Sequence, residues 1–336
     1  MTGDIERVSI TIDIDKDGVQ HGHLGVPHSS DESAWGAVRV PVACVKNGEG
    51  PTVLFTAGNH GDEYEGQLAV HKLVRELAAD PGRLQGRVIA MPALNAPAVT
   101  AGKRTSPIDG GNMNRSFPGD RFGTVTKMIA DFVYRHLLPA ADAVVDIHSG
   151  GRTLSFLPFA AIHNLPDPDH HAASLAAMKA FGAPYGVIMT ELDSAGMFDT
   201  AVEEMGKIFV TTELAGGGTV SAETIAIADR GVRNMLKHFG MLEGALDRPH
   251  GTRFLDMPEG GVHVADDPGL FEIAADLGQE VTAGEVLARI YPLHRTDLPA
   301  QEIRAKIDGV VLQRHFPGLI KVGDCLTILA QDMAEN

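Results

Sequence analysis

From Thr52 onward the hydrophobic positions switch between two rhythms. TVLFTA (52–57) is an unbroken apolar run of strand length, and Val70, Leu73, Val74 and Leu77 then recur at the i, i+3, i+4, i+7 spacing of one helix face. RVIAMPAL (87–94) reads as the next strand. The pattern resumes with Val125, Met128, Ile129, Phe132 and His136 on a helix face ended by Pro139, followed by the strand AVVDI (143–147). Further strands are predicted at YGVIMT (185–190) and KIFVTTEL (207–214), with helices near 168–181, 198–205 and 221–239. This alternation predicts an α/β fold, a mostly parallel sheet with helices on both faces.

Two stretches break the rhythm. Between the second strand and the next helix lies NAPAVTAGKRTSPIDGGNMNRSFPG (95–119), rich in Gly, Pro and Asn, and loops of that length in compact domains are usually functional or disordered. Beyond about Asp247 the helical period disappears. FEIAA, VLARIY, EIRAKI, GVVLQRH and CLTILA are short β-like runs between Gly and Asp turns, which predicts a small C-terminal all-β domain. The expected division is 1–246 and 247–336, with the boundary in EGALDRPHGT (243–252). The first fifty residues are β-rich and fit either unit.

A length of 336 residues allows two domains, or one large domain with a small appendage. With 44% hydrophobic and 21% charged residues the chain is a globular, soluble type rather than a disordered or fibrous one. The 28 basic and 44 acidic side chains leave a net charge of −16, spread along the sequence. Such a surface repels nucleic-acid phosphates and anionic lipid, so neither is an expected partner. Cys44 and Cys325 form no CxxC or Cys/His cluster, and a reduced cytoplasm is the expected compartment. No signal-peptide pattern opens the sequence and no apolar run is long enough to span a membrane.

The candidate chemistry gathers where strands end. Strand 52–57 runs into GNHGDEYEGQ, where His60 and Glu63, three apart, are expected on one side of the first helical turn. Strand 143–147 ends in DIHSGG and delivers His148 to the same edge, the carboxyl edge at which open parallel sheets bind ligands. An HxxE pair alone is usually an ordinary helix start, and a lone His after a strand is usually inert. Together, two imidazoles and a carboxylate with a fourth position open make a catalytic zinc set, one ion per chain. KIFVTTEL ends in Glu213, beside AGGG, and a carboxylate there is placed to serve as general base and then general acid in metal-assisted amide hydrolysis. Otherwise it is a carboxylate favoured by the dipole of the following helix. The long loop adds Lys103 and Arg104, then Asn112, Asn114 and Arg115 in GGNMNRSFPG. Arg with a neighbouring Asn binds a substrate carboxylate, and Arg104 either does the same or stabilises an oxyanion.

Four ordered motifs, GNHGDE, NMNRSFPG, DIHSGG and TELAGGG, resemble the succinylglutamate desuccinylase and aspartoacylase family, relatives of the zinc carboxypeptidases. The similarity covers about 50–240, and 250–336 resembles the family's small C-terminal β domain. The resemblance implies that His60, Glu63 and His148 bind zinc, that Asn114 and Arg115 hold the substrate carboxylate, that Glu213 is the base and that Arg104 meets the carbonyl oxygen. Within the family, SSDESAWGAVRVPV, TSPIDGGNMNRSFPG and the chain length resemble the branch that deacetylates N-alpha-acetyl-L-2,4-diaminobutyrate in ectoine degradation. Such a substrate requires an acidic partner for its ammonium, with Glu191, Asp193 and Asp199 among the acids available. Another N-acyl amino acid, a peptide cleaved by a carboxypeptidase, or a non-catalytic small-molecule or carrier module are the competing readings. AKIDGVV and GLIKVGDCLTIL resemble a biotinyl or lipoyl β sandwich, but Lys306 and Lys321 sit in no clear modification turn, so a lid or a homo-oligomer surface is expected there.

Overall fold

Strand Thr52–Ala57 is buried along its whole length because both of its faces are covered. Side chains alternate across a strand. Val53, Phe55 and Ala57 therefore enter one core with helices Glu65–Ala79, Pro168–Phe181 and Ala222–His238, whereas Leu54 enters another with helices Val125–Phe132 and Phe198–Glu203. The computed structural model describes residues 6–190, 194–249 and 251–333. It is a mixed α/β fold built on one large sheet, and unbroken apolar runs are what a strand between two helical layers requires.

Four parallel strands make the centre, in the spatial order Gly86–Met91, Thr52–Ala57, Ala143–His148, Ile208–Glu213. The chain first steps from Thr52–Ala57 to one side and then returns to build on the other. The strand order thus reverses between Thr52–Ala57 and Ala143–His148, and the carboxyl ends of strands at such a reversal flank a ligand-binding crevice.

Away from that centre the sheet is antiparallel in many pairings, so it is mixed rather than mostly parallel. Ala37–Asn47 pairs antiparallel with Gly18–Pro27 and with Gly86–Met91, which makes the first fifty residues an edge of the large sheet. On the other side Phe159–His163 is antiparallel to Ile208–Glu213. Residues 149–158 hold no helix to carry the chain back, and a strand entered directly from the carboxyl edge has to run the opposite way. Leu154–Phe156 and Phe159–His163 escape the sequence reading because they are short and Pro158 divides them. Segment 95–119 is also less loop-like than expected, since Ala96–Ala101 forms a helix and Met113–Arg115 a 3-10 turn. Six residues carry too little periodicity to announce a helix.

Beyond residue 247 the described chain is strands, turns and one 3-10 turn, Glu259–Gly261. The large sheet continues across the expected 246/247 division, because Arg253–Asp256 lies parallel to Tyr185–Met189 and antiparallel to Cys325–Asp332. Gly309–His315 pairs with Leu154–Phe156 just beyond His148. A second sheet, in the order Gln301–Arg304, Val286–Tyr291, Gly269–Ile273, Leu319–Ile320, has its own small core of Ala265, Ile290, Ile320 and Leu326.

The turn after Thr52–Ala57 is shaped by two glycines. Gly58 has φ +67°, which favours a residue without a side chain, and a Cβ on Gly61 would lie 2.0 Å from the backbone carbonyl of Ala98. His60 is thereby held between a left-handed residue and a backbone contact. Gly61→Ala must push helix Ala96–Ala101 away and should cost roughly 1–3 kcal/mol of stability. Thermal denaturation would show this, and metal titration of the same variant should show weakened binding through displacement of His60.

Candidate metal centre and active site

His60 and Glu63 lie in the turn before helix Glu65–Ala79, not on its first turn as expected. Their side chains still meet. His60 Nδ1 is 2.7 Å from Glu63 Oε1, and His148 Nδ1, arriving from the end of Ala143–His148, is 2.8 Å from Glu63 Oε2. All three side chains are buried, and one donor atom from each lies within 4.8 Å of the others. The two loops beside these side chains are also tied to each other by Arg152 N donating to Asp62 Oδ2 at 2.9 Å.

The outer nitrogens of both rings are engaged by the protein. His148 Nε2 is 2.7 Å from Asp146 Oδ2, and His60 Nε2 is 3.1 Å from Asn112 Oδ1. Carboxylate and amide oxygens only accept, so each ring carries a proton on Nε2, and Nδ1, the atom nearest Glu63, is the nitrogen whose lone pair can ligate a metal once its own proton is released. Two Nδ1 atoms and a carboxylate facing one point are a fitting donor set for a divalent metal such as zinc. Asp146 is itself fixed, accepting from Thr56 Oγ1 at 2.7 Å and Asn59 Nδ2 at 2.6 Å. Sequence reasoning missed Asp146. The signal was there, since residues two apart on a strand share a face and D-I-H places a carboxylate behind the imidazole.

Charge is concentrated where water is scarce. Burial pushes the Glu63 carboxyl up, but His60 and His148 more than reverse this and hold it below the usual carboxylate range. For His148 burial favours the neutral ring, and the charges of Asp146 and Glu63 outweigh it, raising the pKa well above the ordinary value. A metal at Nδ1 competes with that proton, so binding should release protons. Glu213 sits beside His148 in the parallel register, and its Oε2 is buried with no hydrogen-bond partner. Burial first, and then repulsion by Glu63, push its carboxyl up to about 8, against the pull of His148 and Arg104.

Among the loop residues the structure separates the expected roles. Arg104 Nη1 lies 3.5 Å from Glu63 Oε1 and 3.3 Å from His60 Nδ1, on the donor side of the ring, although its side chain is 57% exposed. Asn112, expected at the substrate, turns its Oδ1 onto His60 and so orients that ring. The 3-10 turn explains its neighbours, because successive side chains there point about 120° apart. Met113 is buried in the core with Phe117, Asn114 lines the pocket and Arg115 is exposed. The pocket, about 190 Å³, is bounded by His60, Arg104, Asn114, His148, Asp199 and Glu213, among others. Arg104 and Glu213 also line an adjoining cleft of about 570 Å³ whose far wall, with His315, Lys321 and Cys325, belongs to the C-terminal β region. Of the acids considered for an ammonium, Glu191 and Asp193 lie outside the described residues, and Asp199 is in the pocket wall.

Residues 49–239 match the model of the succinylglutamate desuccinylase/aspartoacylase catalytic domain. The chain belongs to this family. It is 52% identical to the N-alpha-acetyl-L-2,4-diaminobutyric acid deacetylase of Halomonas elongata over 96% of this chain and 95% of that one. Among solved structures, the product-bound ectoine utilization protein EutE (DoeB) of Ruegeria pomeroyi is 54% identical with a TM-score of 0.93, covering 98% of this chain and 100% of its own. The succinylglutamate desuccinylase/aspartoacylase of Rhodobacter sphaeroides is 40% identical with a TM-score of 0.92, over 97% and 100% of the two chains. As a member of this hydrolase family the chain is an amide-bond hydrolase, which sets aside the non-catalytic module. No described helix is long and apolar enough to cross a membrane.

His60→Ala and His148→Ala should each abolish metal retention, measured as zinc per chain by elemental analysis, and full retention in both would remove the donor assignment. Asp146→Asn keeps the ring in place but weakens its partner, so zinc affinity should fall about 10–100-fold in a competition titration while the fold persists.

Proposed function

We infer that the protein is a zinc-dependent amidohydrolase that removes the acetyl group from N-alpha-acetyl-L-2,4-diaminobutyrate, giving acetate and L-2,4-diaminobutyrate. The observation that carries this reading is the cluster of His60, Glu63 and His148, whose two imidazoles line one small pocket with Glu213, in a chain similar over nearly its full length to a deacetylase of that compound. Hydrolysis of an amide forms a bond from a water oxygen to the acyl carbon, breaks the carbon–nitrogen bond, and moves a proton from the water to the leaving nitrogen.

His60, Glu63 and His148 are the residues that would hold zinc, which when bound acts as a Lewis acid on water and carbonyl. Glu213 takes the proton from the attacking water. The same burial that pushes its carboxyl up to about 8 makes it a competent acid for returning that proton to the nitrogen. Arg104, the guanidinium nearest the donor set, faces the negative charge that develops on the carbonyl oxygen. Asn114, from the pocket wall, and Arg115 beside it supply donors for the α-carboxylate. Asp146 and Asn112 act through the histidines, fixing each ring so that no reorientation is needed during turnover.

A pocket of about 190 Å³ is smaller than the roughly 300–1,000 Å³ typical of drug-sized ligand sites, and it suits a single acylated amino acid. Steady-state kcat/KM for N-alpha-acetyl-L-2,4-diaminobutyrate should exceed that for N-acetylaspartate by at least about 10²-fold, since a second carboxylate would enter a pocket already lined by acids. Equal or better hydrolysis of N-acetylaspartate would transfer the protein to the aspartoacylase reaction. Glu213→Gln should lower kcat by at least about 10²-fold with little change in zinc content. Near-normal turnover in that variant would place the base elsewhere.

A further inference from the structure

We propose that Asp199 is the specificity determinant for a cationic side arm, the carboxylate by which this pocket selects an acylated diamino acid over neutral and acidic N-acyl amino acids. The proposal rests on the deacetylase reading for the acyl group and the reaction, and adds to it the residue that reads the amine.

Asp199 is only 6% exposed, yet it bounds the same pocket as His60, His148, Glu213, Arg104 and Asn114. A carboxylate taken out of water costs free energy unless a cation or several donors meet it, and a pocket that opens onto one is selective for positive charge. Its position is fixed. Oδ1 accepts from Thr200 N at 2.6 Å at the start of helix Phe198–Glu203, and Oδ2 is 3.9 Å from His163 Nε2. His163 is in turn held by Glu203, one helical turn beyond Asp199, at 2.9 Å from Nδ1. The imidazole, on strand Phe159–His163, thus lies between two acids of one helix face.

The remaining walls complete the match. Phe159, Met189, Met197 and Phe209 offer apolar surface for methylenes, and methionine adapts to a flexible chain. Asn114 offers a donor for a carboxylate, and Arg104 faces the carbonyl oxygen. A ligand with a carboxylate near one group of walls, a short methylene stem and a terminal ammonium matches this distribution of charge. An acidic side arm would bring a second negative charge against Asp199, and a neutral one would gain nothing from that carboxylate.

Asp199→Asn tests the assignment with two substrates of nearly equal shape, N-alpha-acetyl-L-2,4-diaminobutyrate and N-acetyl-L-norvaline, in which a methyl replaces the ammonium. In the zinc-loaded variant kcat/KM for the cationic substrate should fall at least about 10²-fold while that for the norvaline compound stays within about threefold. An equal loss on both substrates, or no loss on either, would overturn the role of Asp199. Wild-type enzyme that shows no preference for the cationic substrate would instead overturn the diaminobutyrate reading. If Asp199→Asn loses its cooperative thermal transition, Asp199→Glu decides, because it keeps the charge: it should retain the preference for the cationic arm, and loss of that preference in a folded, zinc-loaded Asp199→Glu enzyme would overturn the proposal.

Discussion

Strand Ala143–His148 is hydrogen-bonded on both sides, to Thr52–Ala57 and to Ile208–Glu213, and the register of these two parallel ladders fixes where the functional groups stand. Thr56 lies across from Asp146, and Glu213 lies across from His148. A shift of one residue in either ladder would turn every side chain of that strand to the other face. The apolar halves of the strands forbid that shift, because Val53, Phe55, Val145 and Val210 must all reach the same helical layer. The hydrophobic core thus does more than stabilise the fold. It sets the alignment of the ends at which the core stops and the chemistry begins.

Burying so much charge at those ends is costly, and the structure manages it for Glu63 and Asp146 by giving each a defined counterpart. Glu63 faces two imidazoles, and Asp146 holds His148 while accepting from Thr56 and Asn59. Glu213 has no such partner for Oε2, and its carboxyl rises accordingly. Neighbouring carboxyls are thereby pushed in opposite directions, Glu63 down and Glu213 up. Opposed shifts of this kind are what fits one carboxylate to hold a cation and its neighbour to take and return a proton.

The C-terminal β region is part of this arrangement rather than an ornament to it. Gly309–His315 pairs with Leu154–Phe156, a few residues beyond His148, so the wall of the larger cleft is hydrogen-bonded to the segment that follows this histidine. His315 lies buried in that wall, in edge contact with Phe271 of the second sheet. Access to the pocket is therefore shaped by chain that is far away in sequence.

What the sequence determined by itself is local. The apolar run of 52–57 and the helical spacing of Val70 to Leu77 needed only neighbours along the chain, and so did the strand ends that carry His60, His148 and Glu213. Tertiary structure decided what depends on distant partners. Asn112 looks like a substrate ligand in the motif NMNRSFPG, and only the return of segment 95–119 to the turn after Thr52–Ala57 shows it on His60. Asp199 is one acid among several in the sequence, and only packing of its helix beside Phe209 and His163 brings it into the pocket wall. The mixed sheet was hidden for a related reason: strand direction is set by whether the chain crosses over or turns straight back, and short segments such as Phe159–His163 carry no record of that choice in their own residues. Periodicity records which face of an element is buried, whereas the group it is buried against belongs to another part of the chain.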